Sequence, residues 1–193
     1  MKRRAGVVLA VLLACAASAA PGALARDDAP PGAVPIVAGT GQVLFSPWDD
    51  VEGALVASIR AARRQVLVQA FSFTSRPIAR ALIEAKARGI DVRVTADAGE
   101  TARVERNRIA ELASAGIPVF IEERYQSAHN KVMVIDADLP SALVITGSYN
   151  WTYSARRHNA ENVLILRGQG ELAGRYRANW ERHQAGARRF SVK

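Results

Sequence analysis

The sequence predicts one α/β domain built on a mixed, largely parallel β-sheet with helices on both faces. Three observations predict it. Apolar runs of strand length alternate with amphipathic segments of helical period, and strand-helix-strand alternation favours parallel neighbours in one sheet. Two later runs, 131–135 and 142–146, are joined by a turn-rich linker containing Asp138 and Pro140, which adds an antiparallel pair. Cys15, the only cysteine, falls in the N-terminal segment, so stability has to come from an apolar core and not from disulfides.

The N-terminus reads as an export signal. Lys2, Arg3 and Arg4 precede an apolar run from Val7 to Leu13 and then Ala23-Leu24-Ala25, a small-residue cleavage site before Arg26. The run is too short, and too soon followed by Pro21-Gly22, for a membrane span. Residues 1–25 are therefore expected to be removed and the protein to be periplasmic or secreted. Acylation at Cys15 in Leu13-Ala14-Cys15 is the lesser alternative, because leucine just before that alanine is an unusual choice. Residues 26–40, with Pro30, Pro31 and Pro35, read as a flexible leader. Residues 41–193 are expected to form the single domain, since about 150 residues can bury one such core.

Within that domain, Gln42 to Phe45 reads as a strand, and Asp49 or Asp50 can cap a helix with Val51, Leu55 and Ile59 on one face. Val66 to Phe71 is the next strand. Ser75 and Pro77 mark a helix start, Ile78, Leu82 and Ala85 form its stripe, and Gly89 ends it. A strand from Ile90 to Thr95, a polar helix from about Thr101 to Ala115 and a strand from Ile117 to Ile121 follow. After the antiparallel pair come a strand from Asn162 to Leu166 and a closing helix from Glu171 to about Gln184.

The formal net charge of +8 falls to about +5 once Lys2, Arg3 and Arg4 are gone, and arginine far outnumbers lysine. A basic, arginine-rich surface attracts polyanions, nucleic acid and anionic lipid alike. Arg124, Arg156 and Arg157 are candidates for tracking a phosphate backbone, or a solvated basic edge. Tyr125, Trp151 and Tyr153 could stack on bases or simply pack.

The chemistry concentrates in one segment: His129, Lys131 and Asp136 read HxKxxxxD, and Gly147, Ser148 and Asn150 read GSxN. Six fixed residue types at fixed offsets would arise by chance in a chain this long with a probability on the order of 10⁻⁵. Imidazole can attack phosphorus, while ammonium, hydroxyl and carboxamide can hold the non-bridging oxygens. Period-two alternation puts His129 and Lys131 on one face, and the hairpin brings Ser148 and Asn150, which share a parity, to the same end. Gly147 allows close backbone approach there. Asp136 falls on the opposite face at the far end of its strand, so a structural role, fixing a turn or pairing with a base, fits it better than catalysis.

At these residues the chain resembles the phospholipase D superfamily, most closely its single-motif secreted or periplasmic endonucleases. The resemblance runs from about Gly41 to Leu166. It also rests on Phe71-Ser72-Phe73-Thr74-Ser75, Thr146-Gly147-Ser148-Tyr149-Asn150-Trp151-Thr152 and Glu161-Asn162-Val163. It implies the phospholipase D-like fold and hydrolysis of DNA or RNA through a covalent phosphohistidine on His129. Lys131, Ser148 and Asn150 would bind the phosphate, and Glu161 would orient the imidazole by bonding its far nitrogen. A second group must protonate the leaving oxygen. With one motif copy, the resemblance implies a homodimer in which two His129 residues face each other. The rival within a monomer is His158 or His183. No cofactor is implied. Metal independence is expected because the three histidines are widely separated and no ligand-type carboxylate cluster adjoins the motif. A phospholipase acting on anionic lipid by the same chemistry is the alternative function.

Overall fold

A computed structural model describes residues 34, 36 and 39–192. The expected export signal, Cys15 and nearly all of the expected leader lie outside the described residues. The chain divides into Met1–Pro35 and Ile36–Lys193, and among the described residues the sheet and its helices belong to the second unit.

Among the described residues the elements run β1 (Thr40–Ser46), α1 (Val51–Arg60), β2 (Gln65–Ala70), α2 (Arg76–Ala87), β3 (Asp91–Asp97), α3 (Ala98–Arg103), α4 (Ile109–Ser114), β4 (Val119–Glu122), β5 (Lys131–Ile135), β6 (Leu143–Gly147), α5 (Tyr153–Arg157), β7 (Glu161–Arg167), α6 (Gly170–Ala185) and β8 (Arg188–Arg189). The strands make one sheet in the order β1-β7-β6-β5-β2-β3-β4-β8. It is the single mixed α/β domain that the sequence predicts.

The expected parallel majority is corrected. Only β2–β3 and β3–β4 pair parallel, and the other five pairings are antiparallel. Parallel neighbours need a crossover long enough to return the chain to the same end of the sheet, and α2 and the α3–α4 segment are the two that join strands adjacent in the sheet. β5 instead returns beside β2 in the antiparallel sense, β6 and β7 follow it as antiparallel neighbours, and β1 and β8 add antiparallel at the two edges.

The two faces are unequal. α1, α2, α4 and α5 cover one side, where Leu55, Ile59, Ile78, Leu82, Met133 and Ile145 are fully buried. α6 covers the other, where Trp180 packs over Leu67, Val132, Val134 and Val144 and donates its indole N–H to Val68 O at 3.0 Å. Burial of an indole of this size removes about 150–250 Å² from water, which explains how one helix anchors that face. Strict alternation along β5 serves both cores: Met133 and Ile135 face the first, Val132 and Val134 the second.

The expected polar helix over 101–115 is broken in two. Asp97 caps α3 by accepting from Glu100 N at 2.7 Å. Asn107 then donates to the carbonyls of Thr101 and Val104 and accepts from Ile109 N at 3.0 Å, ending one helix and starting the next. Asparagine competes with helical bonding in this way, and periodicity does not register it. α5, capped by Thr152 Oγ1 on Ala155 N at 3.1 Å, and the edge strand β8 were not expected.

Candidate functional site

The motif residues other than Asp136 gather where β2, β3 and β6 end and β5 and β7 begin. Ala70 pairs with Lys131, Val132 with Thr146, and Gly147 with Val163, so three adjacent strands bring 129–131, 147–150 and 161–162 to one end of the sheet. Gly147 is required there, because a Cβ would run into the backbone carbonyl of Asn162.

His129 is exposed, and its backbone is held from both sides. Asp97 Oδ2 accepts from Ala128 N at 2.8 Å, and Asn130 O accepts from Phe71 N at 3.0 Å. The Phe71 ring lies 4.2 Å from the imidazole, centroid to centroid. Asp97 was not singled out from the sequence, since an aspartate before a helix signals a cap and nothing in its local pattern signals the loop 31 residues onward.

Lys131 is the residue whose environment is most unusual. It is 6% exposed, its Nζ lies 2.8 Å from His129 Nδ1 and donates to His129 O at 2.8 Å, and it sits 4.6 Å from the centre of the Phe71 ring. Among the described residues no carboxylate pairs with it within 4 Å. Burial pushes its pKa below the ordinary lysine range, and the more distant attraction of Glu161, Asp97 and Glu100 offsets only part of that. The sign is that of a cation losing hydration, so the proton leaves at lower pH than from a free lysine. In a ¹³C NMR titration the Lys131 ε-carbon is expected to change at lower pH than in a lysine model peptide; a midpoint at or above the peptide's would contradict this.

Ser148 is exposed and firmly tied. Its Oγ donates to Glu161 Oε2 at 2.5 Å and accepts from Asn162 N at 3.1 Å. Glu161 Oε1 accepts from Asn159 Nδ2 at 2.9 Å. The carboxylate expected to hold the imidazole is thus engaged by Ser148 and Asn159 in this state, and the group beside Nδ1 is the lysine. Asn150 carries a buried Oδ1 with no hydrogen-bond partner among the described residues. Tyr149, in the variable slot of the motif, turns into the core at 1% exposure, and burial raises its phenol pKa well above the ordinary range.

Asp136 lies at the other end of β5. Its carboxylate accepts from the backbone N–H groups of Arg63, Arg64 and Gln65 at 2.8, 2.7 and 2.9 Å, and its own backbone is left-handed at φ 53°. It fastens the α1–β2 turn to the end of β5.

The other histidines are placed elsewhere. His158 is exposed at the end of α5, 5.5 Å from the Tyr153 ring. His183 on α6 bonds Glu122 at 2.5 Å at the end of β4, three strands from β5, which is about 14 Å at the usual strand spacing. Of the other candidates, Trp151 is buried and donates to Gln69 O at 3.1 Å, Arg156 pairs with Glu52 at 2.6 Å, and Tyr153, Arg124 and Arg157 are exposed. Among the described residues no three His, Cys, Asp or Glu side chains converge as metal ligands would.

Residues 55–184 match the family profile described as "Cardiolipin synthase, PLD-like domain". The chain belongs to the phospholipase D-like family. A phospholipase D of Rickettsia conorii is 37% identical over 141 residues, covering 73% of this chain and 68% of that protein. The mitochondrial cardiolipin hydrolase of Xenopus laevis is 34% identical over 117 residues, covering 61% of this chain and 53% of that protein. The chain thus spans about two thirds of the one relative and half of the other. Among solved structures, the phospholipase D family member Nuc from Salmonella typhimurium matches with a TM-score of 0.75 and 27% identity over 80% of this chain and all of that one. NucT from Helicobacter pylori, at TM-score 0.70 and 23% identity over 78% of this chain and 99% of that one, shares the fold. Among the described residues no helix of this phospholipase D-like chain is long and apolar enough to cross a membrane.

Proposed function

We propose that this phospholipase D-like chain is an exported, metal-independent phosphodiesterase that cuts DNA, and RNA by the same route, with little sequence preference. The observation that carries the reading is Lys131: a buried ammonium without a carboxylate partner, 2.8 Å from an exposed imidazole, is a site prepared for an anion beside a nucleophile.

The chemistry follows from the atoms. His129 attacks phosphorus, a P–N bond forms, and the P–O bond to the leaving nucleoside breaks. A second imidazole, His129 of the partner subunit in a homodimer, protonates that oxygen, then takes a proton from the water that breaks the P–N bond. While Lys131 donates to Nδ1, a neutral ring carries its proton on Nε2. A phosphate that draws Lys131 onto its oxygens frees Nδ1 to carry the proton and exposes the Nε2 lone pair. Ser148 and Asn150 would bind the remaining oxygens, with Glu161 beside them to orient the ring once Ser148 turns to substrate. Two coupled histidines, one neutral and one protonated, should give a bell-shaped pH profile.

The lipid reading is kept because relatives are named phospholipase D and cardiolipin hydrolase. Arginine richness favours nucleic acid. The test is to incubate the purified protein, in excess chelator, with plasmid DNA, RNA and vesicles of phosphatidylglycerol or cardiolipin, beside His129→Ala. Nucleic acid cut by the wild type alone supports the proposal. Hydrolysis of lipid without nucleic acid replaces it with the second reading, and activity restored only by magnesium removes metal independence.

A further inference from the structure

A cavity of about 520 Å³ lies next to the GSxN loop, walled by α1 and by three further segments distant from it in sequence. The first turn of α2 supplies Arg76, the α3–α4 turn supplies Arg106 and Arg108, and α5 supplies Tyr153 and Arg156. Four guanidinium groups line it against one carboxylate, Glu52.

Much of that charge is uncompensated. Arg156 is paired with Glu52 at 2.6 Å and Arg108 with Glu111 at 2.9 Å, whereas among the described residues Arg76 and Arg106 have no carboxylate within 4 Å. Arg108 Nε is buried with no acceptor among the described residues, an N–H whose hydration is lost and unreplaced. Arg76 stands in the first turn of α2, which holds no acidic residue, so it faces the positive end of the helix dipole. Local stability does not favour a cation there, and departures from local rules collect at functional positions. Converging guanidinium forks suit a tetrahedral anion with several oxygens.

The cavity is also in reach of the motif. Phe71 touches His129, Ser75 lines the cavity, and Thr74 N and Ser75 N both bond Trp151 O at 2.8 Å, just past Asn150. Four residues of chain span at most about 14 Å. At about 3.4 Å per stacked nucleotide, that is the distance to a phosphate no more than about four nucleotides away. Tyr153, 60% exposed, offers a flat ring at the rim.

We propose that this cavity is a second phosphate subsite for a single nucleic-acid strand whose scissile phosphate lies at His129, with Tyr153 stacking on a base. It rests on the nucleic-acid reading above and deepens it: the substrate is a strand several nucleotides long, gripped on one side of the cut.

The test compares wild type with R76A/R106A on single-stranded oligodeoxynucleotides of two, four and eight residues, and on cardiolipin vesicles, in chelator. In the wild type kcat/KM is expected to rise about tenfold from the dimer to the octamer, and in R76A/R106A by about twofold or less. R76K/R106K keeps the charge and should retain most of the rise, which separates phosphate binding from folding. An undiminished rise in R76A/R106A overturns the subsite and leaves the nuclease reading standing. Failure of the wild type to cut any oligonucleotide overturns both. A defect confined to cardiolipin vesicles assigns the cavity to a lipid headgroup and overturns the strand.

Discussion

His129→Ala is expected to lower turnover by roughly 10⁴-fold or more and to leave the fold intact. The magnitude follows from covalent catalysis, in which the nucleophile and its proton-handling partner act as one unit and loss of either costs nearly the whole effect. In the proposed dimer a single substitution removes both. The fold should be indifferent because the ring is exposed, and Ala128 and Asn130 are held through their backbones by Asp97 and Phe71. Thermal unfolding within a few degrees of wild type, together with lost cleavage, is the predicted pair of results. Mixed dimers of wild type and His129→Ala should be nearly as inactive as the homodimeric variant, since each cleavage needs two imidazoles. A soluble His129→Ala protein cutting at normal rate would remove the nucleophile assignment, and half-active mixed dimers would remove the shared site.

Asp136→Ala should produce the largest loss of stability, about 3–5 kcal/mol, by stranding three backbone N–H donors at about 1–3 kcal/mol each, less what water recovers. Asp136 is 3% exposed, and alanine is also disfavoured at φ 53°. Asp136→Asn should lose less, because asparagine tolerates that backbone and keeps one acceptor oxygen. Urea unfolding followed by circular dichroism measures the difference. At low temperature, where the variant is still folded, its kcat should stay within about twofold of wild type, since Asp136 lies a whole strand away from His129. Wild-type stability, or a folded and inactive enzyme, would contradict the structural role.

Much of the site was legible in the sequence for a definite reason. The hairpin β5–β6 is built from neighbours in the chain, so strand parity was enough to place His129 and Lys131 on one face and to bring Ser148 and Asn150 to the same end. The Asp136 parity told the same way, while its three partners, Arg63 to Gln65, could not be named, because they come from a turn some 70 residues earlier. Glu161 was read as a partner of the imidazole, and in this state its oxygens go to Ser148 and Asn159. Which acceptor a carboxylate reaches is a matter of a few ångströms, below what spacing resolves.

Periodicity and residue chemistry belong to short stretches of chain, and so the sequence by itself determined the strands and most of the helices, the α/β class and the gathering of His129, Lys131, Ser148 and Asn150 at one end of the β5–β6 hairpin. Outside β2–β3–β4 and the β5–β6 hairpin, which strands lie side by side was decided only by the tertiary structure, since β5 returns beside β2 and β1 and β8 are added at the edges beside strands far from them in the chain, and five of seven pairings came out antiparallel. So were the ammonium of Lys131 and the cavity of Arg76 and Arg106, because burial and the want of a counter-charge among the described residues are properties of everything packed around a group, contributed by segments the chain keeps far apart.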